Sequence, residues 1–195
     1  MTSFFLVRHA SAESNGLDPS LTTRGRAEAS ALAQRLRGRT FDAFWSSDLA
    51  RAAETAETLL AGRTELPLRK SPLLREVEAP PEGLLSGDPA GYAAWERKIT
   101  ADLAEKLSEW LRTAADAERN SPHDSSLITH HSSLLVVSHA GPLRVLICLL
   151  VGLPPEAHWS FRIDHASLSI VERGEGMGTI LLLNDRCHLD IVLSR

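Results

Sequence analysis

Short, wholly apolar runs alternate with segments of helical period along most of this chain, and that alternation limits the fold more than any other feature. FFLV at 4–7 and LLVV at 134–137 contain no polar position, the pattern of strands covered on both faces in a largely parallel sheet. DAFW at 42–45 reads as another strand, and 66–74 as a third, interrupted by Pro67 and Pro72. Ala27, Ala31, Leu32 and Leu36 recur at helical spacing over 24–37. Ser47 is placed to cap a helix running to Ala61, with Gly62 just beyond it. Asp88 and Pro89 open a long helix whose Trp95, Ile99, Leu103, Leu107 and Leu111 step four at a time until it ends before Asn120. A very apolar helix covers 142–151, closed by Gly152 and Pro154, and residues 167–172 and 179–183 flank a Gly-rich turn as an antiparallel hairpin. Together these predict an α/β fold, a three-layer sandwich with a mostly parallel central sheet flanked by helices.

A length of 195 residues favours a single domain over 1–195. The Ser- and His-rich stretch 114–133 lacks apolar periodicity and reads as a surface excursion within that domain. The net charge of −4 argues against nucleic acid as a partner. The first 60 residues are balanced, with 7 basic and 7 acidic, whereas 61–133 hold 9 and 12, so the acid surplus is mostly central. Two cysteines, Cys148 and Cys187, have neither a disulfide framework nor metal-ligand spacing around them, and the apolar start is cut off by Arg8. Cytoplasmic residence, no membrane partner and no cofactor follow as expectations; a homodimer is left open.

The chemistry lies in what immediately follows the strands. After FFLV comes Arg8-His9; after DAFW come Ser46 and Ser47, with Arg51 one helical turn on; after LLVVS comes His139, then Ala140-Gly141 opening a helix. Parallel sheets bind ligands beyond the carboxyl ends of their strands, so two histidines and two arginines would converge there, with helix N-termini offering N–H groups to an anion. Phosphate is the natural occupant. Taken singly, these residues have plainer explanations: His9 as a hydrogen-bonded histidine at the core's edge, Arg51 paired with Asp48 or Glu54, Glu76 paired with Arg75. Their common position at strand ends outweighs these.

LVRHA, SSDLARAAET, LLRE and VVSHAGPLRVLICLLVGLP occur in that order, and together they resemble the histidine phosphatase superfamily, with its phosphoglycerate mutase-like fold. The resemblance implies that His9 attacks phosphorus and becomes phosphohistidine, and that Arg8, Arg51 and His139 bind the phosphoryl oxygens. It implies that Glu76 is the acid that protonates the leaving oxygen, and that Asn15 is a polar residue at the phosphate pocket. The expected partner is a small-molecule phosphate ester, with no metal. A neutral imidazole is a competent nucleophile near neutral pH. Guanidinium forks suit the charge spread over a transferring phosphoryl group. Glu76 can donate a proton only if burial or acidic neighbours such as Glu78 raise its pKa.

Two departures from the family pattern bear on specificity. Position 10 is Ala10 where the family usually has glycine; the branch acting on protein phosphohistidine often has alanine there. The stretch 79–92 replaces an aromatic segment, and 77–95 is the expected substrate lid. His123, His130 and His131 lie in a Ser-rich loop without other ligands and read as solvated, not metal-binding. His165, entering the last hairpin, can either approach the pocket or serve the fold. A phosphomonoesterase is the leading reading; a protein phosphohistidine phosphatase, whose branch typically lacks the glutamate, a phosphoglycerate mutase and a non-catalytic phosphate-binding module are the alternatives.

Overall fold

The two all-apolar runs lie side by side. In the computed structural model, which describes residues 1–16, 18–63, 66–77, 80–81, 84, 88–119 and 131–190, β1 (Thr2–Arg8) pairs in parallel with β4 (Ser132–Ser138) from Thr2↔Ser132 to Arg8↔Ser138. β2 (Ala43–Ser47) lies parallel on the other side of β4 and carries β3 (Leu68–Ser71) at the edge. β5 (Leu168–Arg173) runs antiparallel to β1, and β6 (Thr179–Asp185) antiparallel to β5. The order β3-β2-β4-β1-β5-β6 is thus parallel through four strands and closes with the late hairpin.

Alternate side chains of each central strand enter different cores, which is why these strands have no polar face. Phe4, Leu6, Leu134 and Val136 pack with Trp45 and Trp110 beneath α3 (Pro89–Arg119) and α4 (Ala140–Val151). Phe5, Val7, Leu135 and Val137 pack with Phe44 beneath α1 (Thr23–Arg35) and α2 (Ala50–Leu60). Among the described residues, no helix is long and apolar enough to cross a membrane.

Several expectations shift. β3 is only four residues long, because Pro72 removes a strand donor and opens a 3-10 turn, Pro72–Leu74. Ser47 does not cap α2; its N-cap is Leu49, and Asp18 accepts the Ala50 N–H at 2.8 and 2.9 Å from another loop. In α1 the buried face is Gly25, Glu28, Ala29 and Leu32, with Ala27 exposed. The α3 stripe turns from Leu103 and Leu107 onto Trp110 and Ala114, following a 3.6-residue period where steps of four drift off the face. Of the segment 114–133, residues up to Arg119 belong to α3 and β4 begins at Ser132; 120–130, with His123 and His130, lie outside the described residues. His131 contacts Ser3 Oγ at 2.7 Å. Of the segment 77–95, residues 89–95 belong to α3, and 78–79, 82–83 and 85–87 lie outside the described residues.

Candidate active site

Parallel pairing of β1 with β4 brings both motif histidines together. The ladder continues one step past the strands, with His9 N–H donating to Ser138 O at 2.9 Å, and the His9 and His139 rings stand 5.0 Å apart. His9 is 5% exposed and His139 fully buried. β2, on the far side of β4, supplies Ser47, whose Oγ lies 3.0 Å from His139 Nε2. Register alone therefore assembles the centre of the site.

The tautomer of His9 follows from its neighbours. Its Nδ1 lies 2.8 Å from the Ala10 carbonyl, which can only accept, so Nδ1 carries the proton and Nε2 keeps a lone pair. Arg51, in the first turn of α2, donates from Nε to that Nε2 at 3.3 Å. Burial, against the Ala10 bond, and the cationic surroundings hold His9 down to about 3. Burial likewise takes His139 to about 2, and its Nδ1 is buried without a partner among the described residues. Both rings are neutral at physiological pH.

This neutrality couples the site to stability. In the unfolded chain these imidazoles regain a pKa of ~6.5, so below that pH the unfolded state binds more protons. Their contribution is fully present above ~6.5 and is lost as pH falls toward the folded values of about 3 and about 2. Melting temperatures measured from pH 7 to 4 should fall less steeply for His139→Gln than for the parent chain. Parallel slopes would contradict the coupling.

Arg8 ends β1 and points toward the turn before β5. Its Nη1 donates to Ile163 O at 2.8 Å and its Nη2 to His165 Nε2 at 2.8 Å. His165 stands 5.1 Å from His9, ring to ring, so the structure settles its position beside the pocket. The turn is held by Asn184, which accepts from Asp164 N–H at 2.7 Å and donates to its carboxylate at 3.0 Å. Behind it, Ala166 adopts φ 52°, a left-handed conformation costing about 1–2 kcal/mol for a residue with a Cβ. Its N–H reaches His9 O at 3.2 Å.

Glu76 follows the 3-10 turn after β3. Arg75 does not pair with it but forks onto Asp48 at 2.7 and 2.6 Å. Burial pushes the Glu76 carboxyl above its ordinary value, although the Val77 and Gly141 N–H groups and the charges of Arg8 and Arg51 pull the other way. A Cβ at Gly141 would stand 2.6 Å from Glu76 Oε1, so any other residue there would push the carboxylate aside. The N-termini of α2 and α4 thus both face carboxylates, Asp18 and Glu76, where the sequence suggested open anion sites.

The loop that follows β1 is braced from below. Ala10 is buried, and its N–H donates to Thr55 Oγ1 at 3.1 Å, while Glu28 accepts from Ser11 N–H and Oγ at 2.9 and 2.8 Å. Burial alone would raise the Glu28 carboxyl, but these bonds and Arg24 hold it below its ordinary value. Gly25 meets Ser11 O so closely that no Cβ fits between them. Asn15 is exposed on the loop between Ala12 and Leu21 and hydrogen-bonds to no described residue. Arg51 pairs with neither Asp48 nor Glu54; its ion-pair partner is Asp18, at 3.7 Å. Sequence reasoning passed over Asp18 and Asn184, since each acts across a gap of twenty or more residues with no local pattern to mark it.

The profile of the histidine phosphatase superfamily (branch 1) matches residues 4–186. The chain belongs to that superfamily. It is 31% identical to the adenosylcobalamin/alpha-ribazole phosphatase of Escherichia coli, covering 93% of this chain and 95% of that one. It is 28% identical to phosphoserine phosphatase 1 of Hydrogenobacter thermophilus, covering 97% and 95%. The crystal structure of the alpha-ribazole phosphatase from Shigella flexneri superposes with a TM-score of 0.73 at 25% identity, over 94% of this chain and 96% of that one. The fold is phosphoglycerate mutase-like, and the chain falls among phosphoric monoester hydrolases.

Proposed function

We propose that the protein hydrolyses a small-molecule phosphate monoester in two transfers, without a metal. His9 Nε2 attacks phosphorus, forming a P–N bond as the P–O bond to the alcohol breaks. Glu76, protonated, gives its proton to the departing oxygen. Water then attacks phosphorus, Glu76 takes a proton from it, the P–N bond breaks, and inorganic phosphate leaves. Arg8, Arg51 and the unpartnered His139 nitrogen hold the phosphoryl oxygens, and Asn15, exposed on its loop with its amide uncommitted among the described residues, is a further polar group for them. The segment 77–95 serves as the lid. Cys148 and Cys187 are both free thiols, which supports a reducing, cytoplasmic setting.

The observation that carries this reading is the lone pair on His9 Nε2, fixed by the Nδ1 bond to Ala10 O and facing Arg51. Burial of Glu76 beside that pair favours ester cleavage over phosphohistidine cleavage, because an alkoxide needs a proton to leave and an imidazole of low basicity needs little help. Glu76→Gln tests it. The variant should lose roughly 10²-fold in kcat/KM on an alkyl phosphate but far less on p-nitrophenyl phosphate, whose phenolate leaves unprotonated. In the parent chain, alkyl-ester turnover should decline as pH rises through the elevated Glu76 pKa, and the variant should lack that limb. Equal losses on both esters would remove Glu76 as the acid.

A further inference from the structure

On the Glu76 side the site opens into a cavity of about 330 Å³, which Glu76 itself helps to line. That is near the lower end of small-molecule sites, roughly 300–1,000 Å³. Its walls are mostly apolar: Tyr92, Trp95 and Ile99 come from α3, Val145 from α4, and Trp159 from the turn Pro155–Ser160. Trp159 Nε1 donates to the Glu96 carboxylate, which ties that turn to α3. Besides Glu96, whose carboxylate is engaged by Trp159, the polar wall residues include His158 and Arg144, the latter five positions after His139 on α4.

Arg144 stands on an aromatic face with donor capacity to spare. Its guanidinium lies 5.1 Å from the Trp159 ring centroid, and its Nε is buried with no hydrogen-bond partner. Among the described residues it forms no ion pair, whereas Arg24, Arg26, Arg35 and Arg75 all do. A guanidinium resting on an indole face is attracted by the ring, and its buried Nε–H remains unspent while the half-buried side chain leaves the rest of the fork open to a ligand.

We infer that this cavity receives the alcohol half of the ester and selects alcohols with a flat aromatic body and an anionic acceptor for Arg144. The inference rests on the phosphatase reading, since it uses Glu76 to fix which end of the substrate enters the cavity. Aromatic and branched walls reward a planar apolar body, and the anion closes the donor set of Arg144 with charge-assisted bonds. A small zwitterion such as serine carries a carboxylate for Arg144, but it leaves the space between Trp95, Ile99 and Val145 unfilled and so gains little from the apolar walls.

The test uses the full chain and four esters: methyl phosphate, benzyl phosphate, 4-carboxybenzyl phosphate and phosphoserine. Benzyl phosphate should exceed methyl phosphate and phosphoserine in kcat/KM by about tenfold or more. The carboxylate should add about another tenfold, and Arg144→Met should reduce that second ratio to about twofold or less. Methyl phosphate or phosphoserine matching benzyl phosphate would overturn the cavity assignment, even if the variant fails to fold. A carboxylate preference absent from the parent chain, or surviving in Arg144→Met, would overturn the role of Arg144. Turnover of none of the four would strike the phosphatase reading itself and take this inference with it.

Discussion

His9→Ala should reduce p-nitrophenyl phosphate hydrolysis to background, a loss of roughly 10⁴ or more, because no other group can form the covalent intermediate. His139 has Ser47 on its Nε2 and a fully buried Nδ1, and His165 Nε2 is occupied by Arg8. His9 Nε2 also accepts a hydrogen bond, from Arg51, but over a longer 3.3 Å contact, against 3.0 and 2.8 Å at the other two nitrogens. The variant should remain folded: the His9 side chain makes one hydrogen bond within its own loop and one to Arg51, and its replacement deletes no pairing of the sheet. Rapid acid-free quenching of the parent chain with labelled ester should trap acid-labile phosphate that His9→Ala does not acquire. A variant that keeps turnover, or labels equally, would end the phosphohistidine mechanism.

Arg51→Ala should cost roughly 10³-fold in kcat, by the measure of other arginines that stabilise phosphoryl transfer. The expectation comes from placement. Arg51 sits in the first turn of α2 with Nε on the attacking nitrogen and Nη1 3.7 Å from Asp18, so its guanidinium spans the nucleophile and the loop. Its side chain is only 15% exposed, against 55–59% for Arg24 and Arg26 in their helix pairs, so water screens it less. Arg51→Lys should restore only part of the rate, since an ammonium keeps the charge but not the planar fork. A loss below tenfold in steady-state kinetics would remove Arg51 from the transition state.

Much of this was written into local patterns. The unbroken apolar runs FFLV and LLVV need cover on both faces, so a parallel sheet sandwiched by helices was legible before any coordinates. Pro89 at a helix start and Gly152, with φ 74°, at a helix end marked boundaries that the structure keeps. Arg8, His9, Arg51 and His139 could be picked out because each directly follows a strand or opens the next helix. Element ends were harder where a distant partner decided them. Ser47 looked like a cap by position, yet Asp18 from another loop binds the first N–H of α2.

The sequence by itself determined the sheet, its hairpin, the family and the four cationic or imidazole groups of the proposed phosphate site, because those depend on period and on order along the chain. Only the tertiary structure decided the tautomer of His9, the burial that raises Glu76, the place of His165 against Arg8, and the aromatic cavity with its unpaired Arg144. These depend on distances between residues far apart in sequence. A proton's position, a desolvation penalty and a cavity's lining arise only when separate elements are packed together.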